Sequence, residues 1–386
     1  MLEQELPLAG FKVLELAQMI AAPSAGLLLA DYGAEVIKVE PPQGDSCRQL
    51  KSPAARALPV SSVFAGYNRN KRLVREDLQS PEGRERILQL VDQADVLIES
   101  SRPGAMERLG LGPEALLARN PRLVYASLSG YGPGPAGRAL GGVDIVVQAE
   151  SGIMSATGYA DGPPTKVGFT IIDAACGHAL CHGILAALLR RSRTGRGDVV
   201  RLSLYEMALH LQTGPLCEYM ATGVQPPRPG NSAPLSAPAE AFRCRDGHII
   251  ISAYLEPHWR AFTGIIGAPQ LLEDARFKSG QSRVAHRPAL TVVIEEHLMT
   301  RNGTEWVALL REAGIVCGLV KDYAGVQDDV VTRECGILGE TQQGPAVRSP
   351  IHLDRTLDAG LRAATEESGG TVRFSIHPAN PGTAGI

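Results

Sequence analysis

Residues 167–183 read VGFTIIDAACGHALCHG. An apolar run stops at one carboxylate, Asp173, and a tract of very small residues follows. Two chemistries suit such an aspartate. It can cap a helix by accepting hydrogen bonds from the free N–H groups of a first turn, or it can be a nucleophile set where a bulky substrate must come close. Spacing alone leaves both open, with the cap the commoner role. Asp144, after the pair Gly141-Gly142, is a second acid and equally mute in isolation. His178 and His182 stand four apart on one helical face with Cys176 and Cys181 nearby, a spacing that lets two histidines share a metal. No carboxylate completes an H-E-x-x-H pattern and the segment is otherwise core-like, so packed or hydrogen-bonded histidines, and no metal, are expected.

Basic residues fall into two groups. NRNKR (68–72) is a compact cluster between a presumed helix and the strand-like LVRED, of the kind that can hold a phosphate. Arg190, Arg191, Arg193 and Arg196 crowd the end of a helical stretch, where cations suit the macrodipole and solvent. The segment YGPGPAGRALGG (131–142) tempts a phosphate-loop reading. Pro133 and Pro135 remove donors and no helix start follows at once, so a flexible or substrate-lining loop is expected.

Around these residues, strands and helices alternate. FKVLEL reads as a strand, AAPSAGLLLADYG as a helix with Pro23 in its first turn and Gly33 as its stop, and AEVIKVE as a second strand. This is a βαβ unit, but its turn LAQMIAAPSAG lacks G-x-G-x-x-G, which leaves Glu40 little claim to be a ribose-binding acid. RERILQLVDQA is amphipathic, ADVLIES and LVYASLSG are strands, and PEALLARN is a helix opening on Pro113. LAALLRR is helical and runs into the breaker RTGRG; VVRLSLYEMALHLQ starts as a strand and continues as a helix. The alternation predicts an α/β fold, a parallel sheet with helices on both faces. TGVQPPRPGNSAPLSAP reads as a linker by its Pro, Gly and Ser content. AFRC and HIIISAY form a hairpin across Asp246-Gly247, helices follow around Trp259 and Trp306, and GIVCGLV is expected to be a strand returning to the first domain. Beyond 355 the periodicity fades into an expected poorly packed tail.

Length and composition set the bounds. For 386 residues two domains are the prior: a large Rossmann-like domain over 1–221, a linker over 222–229, a smaller α+β domain over 230–320, and a return segment with an irregular tail over 321–386. A net charge of -3 gives no reason to expect nucleic acid or an anionic membrane as partner. The N-terminus carries acids rather than a basic, apolar signal, and no uninterrupted apolar run of about 18 residues is seen. Seven scattered cysteines without C-x-x-C fit free thiols in a reducing cytoplasm.

Taken in order, several blocks resemble the class III CoA-transferase (CaiB/BaiF) family, whose members include formyl-CoA transferase and α-methylacyl-CoA racemase. They are LAGFKVLELAQMIAAPSAGLLLADYGAEVIKVEPPQGD, NRNKR, ADVLIESSRPGAMERLGLGPEALLARNPRLVYASLSGYG, VQAESGIMSATG and IIDAACGHALCHGILAALLRRSRTGRG, spread over about residues 6–350. The resemblance implies a Rossmann-like large domain drawn from both chain ends, a small domain around 225–320 and an interlocked homodimer. It further implies that CoA moves from an acyl-CoA thioester to a free carboxylic acid, with coenzyme A as substrate and no tightly bound cofactor. Asp173 matches the family's nucleophilic aspartate and Asp144 the second acid of the site. Ala21, Lys71, Ser100, Ser101, Ala105 and Arg108 match CoA-facing positions, with Lys71 and Arg108 on the nucleotide portion. Ala174, Ala175 and Gly177 would leave room for a thioester, and their N–H groups would support developing negative charge.

Departures from the family pattern narrow the expectation. A racemase needs an acid–base pair across the α-carbon, and where that branch carries a histidine before the second acid this chain has Val143 in GVDIV. A racemase or isomerase is thus the disfavoured alternative, and a catalytically silent CoA-binding relative is another. The usual E-N-F-R-P-G reads ESSRPG, Ala233 replaces a common histidine, and neither a glycine-rich loop within 222–260 nor a G-E-H-T block is found.

Overall fold

The computed structural model describes residues 6–353, 360–367 and 372–375. Contacts divide the chain into two units: Met1–Ile153, Val167–Val224 and Arg333–Ile386 form the first, and Met154–Lys166 with Gln225–Thr332 form the second.

The first unit alternates as its apolar runs predict: β1 (Lys12–Leu16), α1 (Ala21–Asp31), β2 (Glu35–Glu40), α2 (Ser62–Asn68), β3 (Arg72–Arg75), α3 (Pro81–Val91), β4 (Val96–Glu99), the one-turn α4 (Ala105–Arg108), α5 (Pro113–Arg119) and β5 (Val124–Ser129). Short helices α6 (Pro135–Arg138) and α7 (Asp144–Glu150) precede α8 (Ile153–Ala156), which from Met154 on belongs to the second unit, and the first unit resumes with the long α9 (Ile171–Thr194), then β6 (Asp198–Ser203), α10 (Leu204–Leu211) and α11 (Thr213–Thr222). A two-residue strand near the C-terminus, Thr365–Glu366, completes a seven-stranded sheet, joining the edge beside β3; the order from there is β3-β2-β1-β4-β5-β6, parallel throughout. Alternate residues serve opposite faces. Val13, Val36, Val96 and Val124 pack with residues of α1 and α9, whereas Leu14, Ile37, Leu97 and Tyr125 pack with those of α3 and α5.

Because β1 lies between β2 and β4, the winding reverses there. In an open α/β sheet the crevice beyond the strand C-termini at such a reversal is where ligands bind. Helices α1 and α9 approach closely: a Cβ on Gly177 would stand 2.5 Å from Ser24 Cβ and 3.2 Å from the Ala21 carbonyl oxygen. The small residues after Asp173 thus serve helix packing first. Among the described residues α9 is the one helix with the length and apolarity to cross a membrane; it lies in the core, with Ile172, Leu180 and Ile184 fully buried. It ends within the breaker RTGRG, where Gly195, at a φ of 70°, makes a left-handed cap.

In the second unit β7 (Ala239–Cys244) and β8 (Gly247–Ser252) form the predicted hairpin, and β9 (Val316–Leu319) pairs antiparallel with β8. GIVCGLV therefore extends this small sheet instead of returning to the large one. Its core gathers Phe242, Trp259, Phe262 and Trp306. The tail expectation also changes where it is described. Beyond a hairpin of β10 (Leu338–Thr341) and β11 (Gly344–Val347), Thr365–Glu366 becomes β12, and Phe374 is buried in the first unit's core. Apart from residues 372–375, SGGTVRFSIHPANPGTAGI lies outside the described residues.

Candidate active site

The two acids meet at the start of α9. Thr170, not Asp173, occupies the N-cap position. The carboxylate that caps the first turn belongs to Asp144, 29 residues before Asp173: its Oδ2 accepts from the N–H of Ile172 at 2.9 Å and of Asp173 at 3.2 Å. Its Oδ1 accepts from Gln148 Nε2 at 2.5 Å, and Gln148 Oε1 accepts from the Val167 N–H at 2.9 Å. Asp144 is aimed by the tight loop before it, where Gly130 and Gly142 back on each other so closely that a Cβ on either would lie within 2.7 Å of the other's Cα.

Asp173 itself is half-buried, and among the described residues no hydrogen bond or ion pair reaches its carboxylate. Burial, and next the charge of Asp144, push its pKa up to about 7. Tyr67 from α2 stands near enough for Asp173 to matter: burial first, then the Asp173 charge, raise the phenol. The first-turn N–H groups are already used, Ile171 by Phe169 O, Ile172 and Asp173 by Asp144, and Ala174 by Thr170 O. The expected support of developing charge by the Ala174 N–H is therefore corrected, and the space expected at Gly177 is filled by Ser24. His178 and His182 are exposed, and among the described residues no group of three or more candidate metal ligands assembles.

Of the other predicted positions, Ser100 and Ser101 follow β4 and Ala21 opens the helix after β1, so these three lie where the two strands end. Gln18 N–H donates to Ser100 Oγ at 3.4 Å, and Ser101 N–H donates to Glu99 Oε2 at 2.7 Å. Ala21 is buried at the start of α1, with its carbonyl against Gly177, one helical turn along from Asp173. Ala105 is half-buried, and Arg108 is exposed, without an ion-pair partner among the described residues, its guanidinium lying over Gly104. Arg102, which the sequence reading passed over, is a second exposed cation on the same loop. On the α5 side of the sheet a cavity of ≈ 250 Å³ is lined by Glu99, Arg102, Gly104, Tyr125, Ser127 and Arg201. Burial raises the Glu99 carboxyl there, against hydrogen bonds from Ser127 and Ser101.

Lys71 does not join this group. It is 1% exposed, and its three donors are taken by Glu15 Oε2 at 2.8 Å, Pro23 O at 2.8 Å and Asn68 Oδ1 at 3.1 Å. Burial lowers its pKa to about 8 in spite of Glu15. No donor remains for a phosphate, so the direct CoA contact expected of Lys71 is corrected to an internal ion pair. The rest of NRNKR is also engaged internally: Arg69 with Asp31, and Arg72 with Glu35 and Glu367. Nothing local in the sequence marks these charged partners, which lie 37 or more residues away.

The chain is 40% identical over 349 residues to a probable fatty acyl-CoA transferase of Mycobacterium tuberculosis, covering 88% of each chain. It is 37% identical to an acetyl-CoA:oxalate CoA-transferase of Acetobacter aceti, covering 82% of each. A crystal structure of a CaiB/BaiF family protein from Brucella suis superposes with a TM-score of 0.87 at 33% identity, over 94% of this chain and 97% of that one. The family model described as CoA-transferase family III matches residues 8–364, and the chain belongs to that family.

Proposed function

We propose that this chain moves CoA from an acyl-CoA thioester to a free carboxylic acid with Asp173 as the covalent carrier. The observation that carries the reading is the Asp173 carboxylate, without a hydrogen-bond or ion-pair partner among the described residues and raised to about 7 by burial and by Asp144. A carboxylate stripped of hydrogen bonds and solvent is a stronger nucleophile than a hydrated one, and covalent catalysis divides a hard exchange into easier steps. Ionised Asp173 attacks the thioester carbonyl; the C–S bond breaks, giving an aspartyl–acyl anhydride and CoA thiolate. The thiolate attacks the aspartyl carbonyl, releasing the donor carboxylate and leaving an aspartyl-CoA thioester. An acceptor carboxylate attacks that thioester and expels the thiolate, which takes the new acyl group and frees Asp173. No net proton or electron is consumed. Asp144 holds the turn that carries the nucleophile and keeps it high in energy while uncombined; acylation removes the like-charge repulsion.

Ser100, Ser101, Ala105, Arg108 and Arg102 form the proposed seat for the CoA moiety, where exposed guanidinium groups suit its phosphates. The relatives' names span fatty acyl and oxalate substrates, so the acids of this chain are to be found by screening. A homodimer is part of the proposal: Leu140, Val143, Ile145, Leu189 and Met220 of the first unit are 50–76% exposed, an apolar load that suits a subunit interface. Asp173→Ala tests the carrier role. CoA exchange is lost while CoA binding, measured calorimetrically, is retained; full exchange in the variant would refute the covalent route.

A further inference from the structure

The turn joining β1 to α1 has none of the glycines that usually let a chain bend sharply at this point of a nucleotide-binding fold. Its sequence is Ala17-Gln18-Met19-Ile20, and Met19 sits at a φ of 70°, a left-handed conformation costly for a residue with a side chain. Something must hold it there. Three side chains do so, each from a different part of the sheet's C-terminal edge. Lys38 Nζ, from β2, donates to the Ala17 carbonyl at 2.6 Å. Ser100 Oγ, after β4, accepts from the Gln18 N–H. Both carboxylate oxygens of Asp45, after β2, lie 3.2 and 3.3 Å from the Met19 nitrogen.

These clamps are themselves locked by charge. Lys38 pairs with Asp45 at 3.0 Å and with Glu15 at 3.0 Å, and Glu15 also pairs with Lys71 at 2.8 Å. All four side chains have no exposed area, and two cations balance two anions. Gly26 of α1 lies directly over the pair, since a Cβ there would stand 2.0 Å from Glu15 Oε2. The Asp45 N–H in turn donates to Glu40 Oε2 at 3.0 Å. A buried ion network of this kind does little for net stability compared with an apolar core, but it fixes geometry.

We propose that Asp45 and Lys38 are positioning residues that set the shape of the 17–20 turn so that the crevice accepts the CoA moiety. The proposal rests on the reading of that crevice as the CoA seat. The turn faces Ser100 and leads into Ala21, so a shift of its backbone displaces the wall against which the cofactor portion of the substrate lies. The network thus replaces glycine by buried charge: the residue in the left-handed position is held there by Asp45 instead of adopting it freely.

Titration calorimetry with coenzyme A tests the proposal. Asp45→Ala weakens CoA binding about tenfold or more, since misplacement by an ångström is that costly. Adding Met19→Gly to it restores most of the loss, because glycine takes a φ of 70° unaided. Asp45→Asn, which keeps one acceptor oxygen and the shape, falls between, and serves alone if Asp45→Ala does not fold. Wild-type affinity in a folded Asp45→Ala protein, or a loss in folded Asp45→Ala that Met19→Gly leaves untouched, overturns the proposal. If Asp45→Asn is the only folded variant, wild-type affinity in it does the same. Failure of the unaltered protein to bind CoA at all refutes the reading of the crevice itself, and the proposal with it.

Discussion

Replacing Asp173 by Asn removes the charge that the site tolerates least. The folded carboxyl titrates at about 7 against 3.8 for an unperturbed group. Between these values the folded chain holds a proton that the unfolded chain has released, so stability falls as pH rises from about 4 to about 7 and stays low above that. Three units at 1.36 kcal/mol each set an upper bound of about 4 kcal/mol on the cost of ionised Asp173 at pH 8. Asn has the same shape and no charge to repel Asp144. Urea unfolding of both proteins, followed by circular dichroism at pH 4, 6 and 8, reads the effect. The variants are expected to be equally stable at pH 4, and Asp173→Asn the more stable by a margin that grows to pH 8. A difference that does not change with pH would show that Asp173 is not held uncharged by its surroundings, and the argument for a primed nucleophile would fall.

Two further outcomes separate structural from binding roles. Lys71→Met strands part of the Glu15 charge in the core and lowers stability by about 3 kcal/mol, whereas Arg108→Ala leaves the unfolding curve unchanged and weakens CoA binding about tenfold through the lost charged contact; a normal unfolding curve for Lys71→Met would contradict the buried pairing. Gly177→Ala forces a methyl against Ser24 and costs about 1–3 kcal/mol, and wild-type stability there would mean that α1 and α9 are not in the close contact described.

The order of elements was legible in the chain because each apolar run and its Gly or Pro stop is a local signal. Which strands adjoin was not, since pairing β1 with both β2 and β4 leaves no mark within a short window. Resemblance drew attention to Asp144 and Asp173, yet which of them caps α9 was invisible: the Asp144 carboxylate reaches its turn across a loop whose path depends on the contact of Gly130 with Gly142. Composition misled most at NRNKR. A basic cluster looks the same whether solvent, phosphate or buried carboxylates await it, and Lys71 finds Glu15, 56 residues away. Asp45 escaped notice because its role is to hold backbone groups, Met19 among them, and a lone aspartate after a Gly reads as an ordinary turn residue. The two-residue strand at Thr365–Glu366 is too short to carry any periodicity.

Covalent trapping addresses the central claim most directly. The protein is incubated with an acyl-CoA donor, quenched with hydroxylamine or borohydride, digested and mapped by mass spectrometry. Asp173 is expected to carry the hydroxamate or to be reduced to the alcohol, in a donor-dependent way and on no other acid. Turnover with Asp173 recovered unmodified under conditions that trap a control aspartyl thioester would contradict the account.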